Sequence, residues 1–217
     1  ANLIADRIIN GNNIFIFGAS HSAMMAEELT YRAGGLMLIN PIFAPGLSLS
    51  ERPVNRTSKF ERLEGFAEIL LDSFPLKKDD ILIIASVSGR NAVPVEMALK
   101  AKEKGLTVVA LTSLDYSKSV TSRHKSGKKV YEIADIVLDD CCPKGDAVLQ
   151  IGNLPQKVAP TSTIAGVYIL NAIVARVVEI LVEKGIEPPI FLSGNLDGGD
   201  EYNARKLQEY KDRIFYM

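Results

Sequence analysis

Two rhythms of apolar residues alternate along this chain. Short runs at residues 14–17, 36–39, 81–85, 106–111 and 133–138 are dominated by Ile, Leu, Val and Phe, as strands buried on both faces require. Between them, apolar residues recur every three or four positions, the spacing of a helix with one buried face. That spacing predicts the end of an N-terminal helix at Leu3, Ile4, Ile8 and Ile9, and a helix over 23–33 stopped by Gly34-Gly35. It also predicts a helical stripe through Phe60, Leu63, Phe66, Ala67, Leu70 and Leu71, and helices over 93–104, 164–184 and 200–215. The 164–184 stretch is the most apolar of these and is expected to be the most buried. Residues 40–58 read as a long polar loop holding Pro41, Pro45 and Pro53, residues 141–160 as irregular, and residues 193–199 as a glycine-rich loop.

Strand and helix alternate without a linker or low-complexity tract. The fold class predicted is therefore α/β, a single domain over residues 1–217 in which a five-stranded parallel sheet lies between two helical layers, an αβα sandwich. The chain opens in a helical pattern without Met, so its first helix is expected to begin upstream. Ligands of such sheets bind beyond the carboxyl ends of the strands.

Two turns fall at that edge. Ser86-Val87-Ser88-Gly89-Arg90-Asn91 links the 81–85 run to the helix at 93–104. Gly89 lets the backbone turn tightly, and the first turn of the following helix leaves N–H groups unpaired at the positive end of its dipole. Ser86, Ser88 and Asn91 add short donors, so the turn is built to hold an anion such as phosphate, with Ser86, Ser88, Gly89 and Asn91 as the candidate phosphate contacts. Gly18-Ala19-Ser20-His21-Ser22 repeats the plan after the first strand, with Ser20 and Ser22 as donors. Thr161-Ser162-Thr163 stands where a helix N-cap belongs, and Ser162 and Thr163 are further candidates for phosphate contact.

Composition narrows the partners. Net charge is −1, which argues against nucleic acid or an anionic membrane as the main partner. No apolar run is read as long enough to span a bilayer, and no signal peptide is seen at the start. The two cysteines, Cys141 and Cys142, are adjacent and fit a reducing, cytoplasmic setting. Gly18-Ala19-Ser20 lacks the full dinucleotide fingerprint, so no nucleotide cofactor is expected.

Together these residues resemble the sugar isomerase (SIS) domain family over nearly the whole chain. Gly18 to Ser22 resembles its first motif, with Ser20 in place of the second Gly. Ser86 to Asn91 resembles its second, Ala101 to Thr112 ("AKEKGLTVVALT") its following pattern, and Ala159 to Thr163 its third hydroxyl cluster. Ala26-Glu27-Glu28-Leu29-Thr30 resembles the first helix of the phosphoheptose isomerases within it, and Ser193 to Asn203 resembles a bacterial branch of the family. The resemblance implies a flavodoxin-like architecture, a sugar-phosphate ligand, a homodimer or homotetramer, and aldose–ketose isomerisation through an enediolate. It does not bring a metal: Met24 stands where that class has a histidine, and the last long helix has none. The alternatives are a non-catalytic sugar-phosphate sensor and an etherase acting on a phosphorylated amino sugar.

An isomerase needs a carboxylate beside the first two sugar carbons. Glu28, on the helix after the first turn, is the first candidate, with Glu51, Glu61 and Glu64 as rivals. His21, beside the first turn, and His124, in the lysine-rich segment and expected to be exposed, are candidates for ring opening.

Overall fold

The computed structural model describes residues 1–217. Strands β1 (Ile14–Gly18), β2 (Ile39–Ile42), β3 (Ile81–Ala85), β4 (Thr107–Thr112) and β5 (Ile136–Asp139) form one parallel sheet in the order β2-β1-β3-β4-β5. Successive strand residues point to opposite faces, so the apolar runs split between two cores. Ile14, Ile16, Ile81, Ile83, Val109 and Leu111 join the helices α1 (Asn2–Ile9), α2 (Ala23–Leu29) and the long helix Ser162–Glu183 on one face. Phe15, Phe17, Leu82, Ile84, Val108 and Ala110 meet residues of Phe66–Asp72 and Ala92–Glu103 on the other. This is the expected three-layer α/β sandwich.

Several boundaries differ from expectation, each for a local reason. The second strand is three residues later than its apolar run. Leu36 bridges Ile190, and the Met37 N–H donates to the Pro189 carbonyl at 2.8 Å, so pairing with β1 starts only at Ile39. Pro41 is tolerated because β2 is an edge strand. Helix α2 ends at Leu29, before the predicted Ala33; Thr30 turns extended, and its hydroxyl donates to the Ala26 carbonyl at 2.7 Å. The stripe at 60–71 is two helices, α3 (Thr57–Phe60) and α4 (Phe66–Asp72), broken at the left-handed Gly65.

Helix α5 (Ala92–Glu103) holds that break in place. The buried Glu96 carboxylate accepts the Gly65 N–H at 2.8 and 3.0 Å and the Ala67 N–H at 3.3 Å. Removing it leaves these donors of the α4 start without an acceptor, at about 1–3 kcal/mol each. Glu96→Ala is therefore expected to cost about 2–4 kcal/mol in urea unfolding. Glu96→Gln, which keeps one acceptor oxygen, is expected to cost less.

Downstream, the short helices α6 (Leu114–Lys118) and α7 (Val130–Ile133) flank the lysine-rich segment, and β5 begins only at Ile136. Residues 141–160 are not wholly irregular. They contain an exposed antiparallel hairpin, β6 (Ala147–Leu149) with β7 (Val158–Pro160).

Helix α8 (Ser162–Glu183) corrects two expectations. Its mean hydropathy of 1.9 over an 18-residue window makes it long and apolar enough, by length and composition, to cross a membrane. It is also far from the most buried helix. Leu170, Val174, Val177, Ile180 and Leu181 pack into the core, while Ile164 and Tyr168 are 73% and 74% exposed. The last helix, α9 (Gly199–Glu209), stops short of Phe215. That ring instead stacks on Phe15 with centroids 5.9 Å apart, and the Phe215 N–H donates to Asn40.

Candidate functional site at the carboxyl edge of the sheet

Gly18 and Ala85 are paired in register, so the chain leaves β1 and β3 side by side. After β1 it makes a 3-10 turn over Ser20–Ser22 and enters α2. Any side chain at Gly18 would collide with the Ser22 carbonyl, which is why the turn can begin there only with glycine. The Ser20 N–H donates to the Leu47 carbonyl at 2.8 Å, anchoring this turn to the loop after β2.

The second turn is held from behind. The Ser86 N–H donates to the Leu111 carbonyl at 2.9 Å, and the Val87 carbonyl accepts the Ser113 N–H at 3.0 Å and the Thr112 hydroxyl at 2.9 Å. These bonds leave the N–H groups of Val87, Ser88, Arg90, Asn91 and Ala92 without a protein acceptor. They stand at the start of the twelve-residue helix α5, where the dipole adds to their attraction for an anion.

The two turns close on one cavity of about 280 Å³. Ser20, His21 and Ser22 line it from the first turn, and Ser86, Ser88 and Asn91 from the second. Glu61, Tyr116 and Asp146 complete it. Seven of the residues singled out from the sequence, Glu61 among them, are thus brought together.

The others stand elsewhere. Gly89 does not line the cavity: its N–H donates to the Ser86 carbonyl at 3.1 Å, and at φ +57° it packs against Ser117 and Thr112. Its positive φ shapes the turn. Ser162 is buried, its hydroxyl donating to the Asp146 carboxylate at 2.7 Å, and Thr163 lies beyond it in the first turn of α8. Asp146 also accepts the Thr161 and Ser162 N–H groups, so a carboxylate caps α8 where a hydroxyl was expected. His124 is buried rather than exposed. It contacts the Ser126 hydroxyl at 2.8 Å and lines a separate cavity with Glu68, Glu96 and Lys100. Glu28 is ion-paired with Arg32 and accepts the Asn171 side-chain amide of α8 at 3.1 Å, outside the 280 Å³ cavity. Glu27 and Glu51 face another cavity, of about 370 Å³, on the far side of the first turn.

Two carboxylates line the site; Asp146 is taken up by Thr161 and Ser162, which leaves Glu61. The Val93 N–H donates to its carbonyl at 3.0 Å, fixing it against the start of α5. Burial pushes its carboxyl above the ordinary value, against the opposing pull of the nearby Asn91 side chain and the charges of Arg62 and Arg123. A buried carboxylate of raised pKa in a cleft is poised for proton transfer. Glu61 could be named from the sequence only as one rival among several. Tyr116 and Asp146 carry no local signal, since helix α6 and the turn before β6, both distant in the chain from the two turns, deliver them.

The donors for the metal of the phosphoheptose isomerases are not assembled. Met24 is exposed on α2, His21 and His124 lie in different cavities, and no three His, Cys, Asp or Glu side chains converge.

Residues 1–113 match the SIS domain. The chain is 55% identical to a UPF0309 protein of Oceanobacillus iheyensis across all of this chain and 88% of that protein. It is 46% identical to a UPF0309 protein of Streptomyces coelicolor across 99% of this chain and 86% of the other. In fold it is similar to the phosphoheptose isomerase of Neisseria gonorrhoeae, with a TM-score of 0.50, 18% identity and 82% of each chain covered.

Proposed function

Since the chain belongs to the SIS-domain family, within its UPF0309 branch, we propose that it binds a sugar phosphate at the carboxyl edge of its sheet and isomerises it between aldose and ketose. One observation carries the reading: the unpaired backbone N–H groups of Val87, Ser88 and Asn91 and the hydroxyls of Ser20, Ser22, Ser86 and Ser88 belong to residues that line one cavity. A doubly charged phosphate is the small group that satisfies so many donors at once.

With the phosphate there, the sugar's first carbons extend toward the rest of the cavity wall. Glu61 removes the proton beside the carbonyl and returns it to the neighbouring carbon of the enediolate. His21, exposed at the rim, moves the ring proton during opening. Glu28, the first candidate from its place on the helix after the first turn, and His124 would act only on a ligand reaching outside this cavity.

A second copy of the chain covering the exposed apolar face of α8 is part of the same reading, supported by Ile164 and Tyr168. Free Cys141 and Cys142 fit a cytoplasmic setting.

The test is a panel of aldose and ketose phosphates followed by thermal unfolding and by proton exchange in heavy water. Sugar phosphates are expected to raise the melting temperature, inorganic phosphate to raise it weakly, and neutral sugars not at all. Deuterium is expected at carbon 2 of the substrate. Binding without exchange for every sugar would establish the sensor reading instead, and release of an ether-linked acid would establish the etherase.

A further inference from the structure

Arg62, Arg90 and Arg123 gather beside the second turn, and none of them is ion-paired with a carboxylate. Arg123 donates from its guanidinium to the Asn91 Oδ1 at 2.8 Å, and its backbone N–H donates to the Arg90 carbonyl at 2.8 Å. Arg90 reaches the Thr121 hydroxyl at 3.2 Å, and its Nε is buried without an acceptor. Arg62 follows Glu61, which the Val93 contact holds in place.

Arg123 lies in the field of the other two. Partial withdrawal from solvent, then the charges of Arg90 and Arg62, hold the Arg123 guanidinium below its ordinary value. Glu61 and Tyr116, which line the cavity, act in the opposite direction. Net charge over the whole chain is −1, so the cluster is a local concentration and not general basicity. Like charges held close and partly desolvated cost free energy that a bound anion would offset.

The phosphate held by the turn does not need them. That group already has the amides and hydroxyls of the two turns, and none of the three arginines lines the 280 Å³ cavity. An anion that meets them must extend past Asn91.

We propose that the ligand is a sugar phosphate bearing a second anionic group, a carboxylate or another phosphate, and that Arg123, with Arg90 and Arg62, receives that group. The proposal rests on the phosphosugar reading above and specifies its substrate class. A planar guanidinium fork matches either oxyanion in bidentate geometry.

Titration calorimetry with matched pairs tests it: 6-phosphogluconate against glucose 6-phosphate, and fructose 1,6-bisphosphate against fructose 6-phosphate. In each informative pair the two-anion ligand is expected to bind at least about tenfold more tightly, and less so at high salt. A gain confined to the first pair identifies a carboxylate, and one confined to the second identifies a phosphate. Arg123→Gln is expected to bring the ratio toward one while leaving the single-phosphate ligand's affinity unchanged. Equal affinities within both wild-type pairs would overturn the proposal and leave the phosphosugar reading standing. So would an equal loss for all ligands in Arg123→Gln, which would assign the arginines to the phosphate itself. If no sugar phosphate of either kind bound, both readings would fall.

Discussion

Replacing Ser86 and Ser88 together by alanine is expected to weaken sugar-phosphate binding about 10²–10⁴-fold and to abolish the ligand-induced rise in melting temperature. Each hydroxyl would donate to a charged oxygen, a bond worth about 1.5–3 kcal/mol, and the double variant removes both donors from the one group. The loss in the unliganded protein is small. Ser86 and Ser88 face the cavity, and the turn is held by other atoms: the Ser86 N–H on Leu111 and the Val87 carbonyl under Thr112 and Ser113. The variant should therefore melt within a few degrees of wild type without ligand and fail to respond with it. An undiminished response to sugar phosphates would show that the phosphate sits elsewhere.

Glu61→Gln is expected to lower carbon-2 exchange about 10²–10⁴-fold while changing affinity little, because the amide fills the same space and cannot take a proton. The pH dependence separates this from a merely structural effect. Burial raises the Glu61 pKa, and only the ionised form is a base, so exchange in the wild type should rise with pH through a midpoint above the usual carboxylate range. The same shift has a stability consequence of known sign. A carboxyl whose pKa is raised on folding stabilises fully below its unfolded pKa, and that stabilisation is lost as pH rises through the folded pKa. Glutamine removes the charging step, so Glu61→Gln should be at least as stable as wild type at neutral pH, measured by urea unfolding. Lost exchange in a well-folded variant then reports on the chemistry. If exchange survives in Glu61→Gln and disappears in Glu28→Gln, the base is Glu28, acting from beside Asn171.

Both variants depend on residues whose legibility in the sequence differed. Ser86 and Ser88 could be picked out because strand, turn and helix are contiguous there, so local spacing alone places the donors. The same holds for Ser20 and Ser22. Glycine in such a turn can either approach a ligand or adopt a positive φ, and the sequence does not distinguish the two; in the fold Gly89 has φ +57° and its N–H donates to the Ser86 carbonyl. Position in the chain points to Glu28 and His124, and both are taken up by other partners: Arg32, four residues on, and Asn171 for the one, and Ser126, two residues on, for the other; of these only Asn171, 143 positions away, lies beyond what local spacing can reveal.

The alternation of apolar runs and helical stripes was sufficient for the layered parallel sheet and for the edge at which its two hydroxyl-rich turns meet. These follow from periodicity, which each segment carries within itself. Where segments end, and what else reaches the cavity, came from contacts between distant parts of the chain. The 189–190 segment displaced the start of β2, Glu96 organised the break before α4, and packing of one side of α8 left Ile164 and Tyr168 outside. Glu61, Tyr116, Asp146 and the arginine cluster joined the two turns by the same kind of long-range contact, because hydrogen bonds and burial depend on proximity in space and leave no period in the sequence.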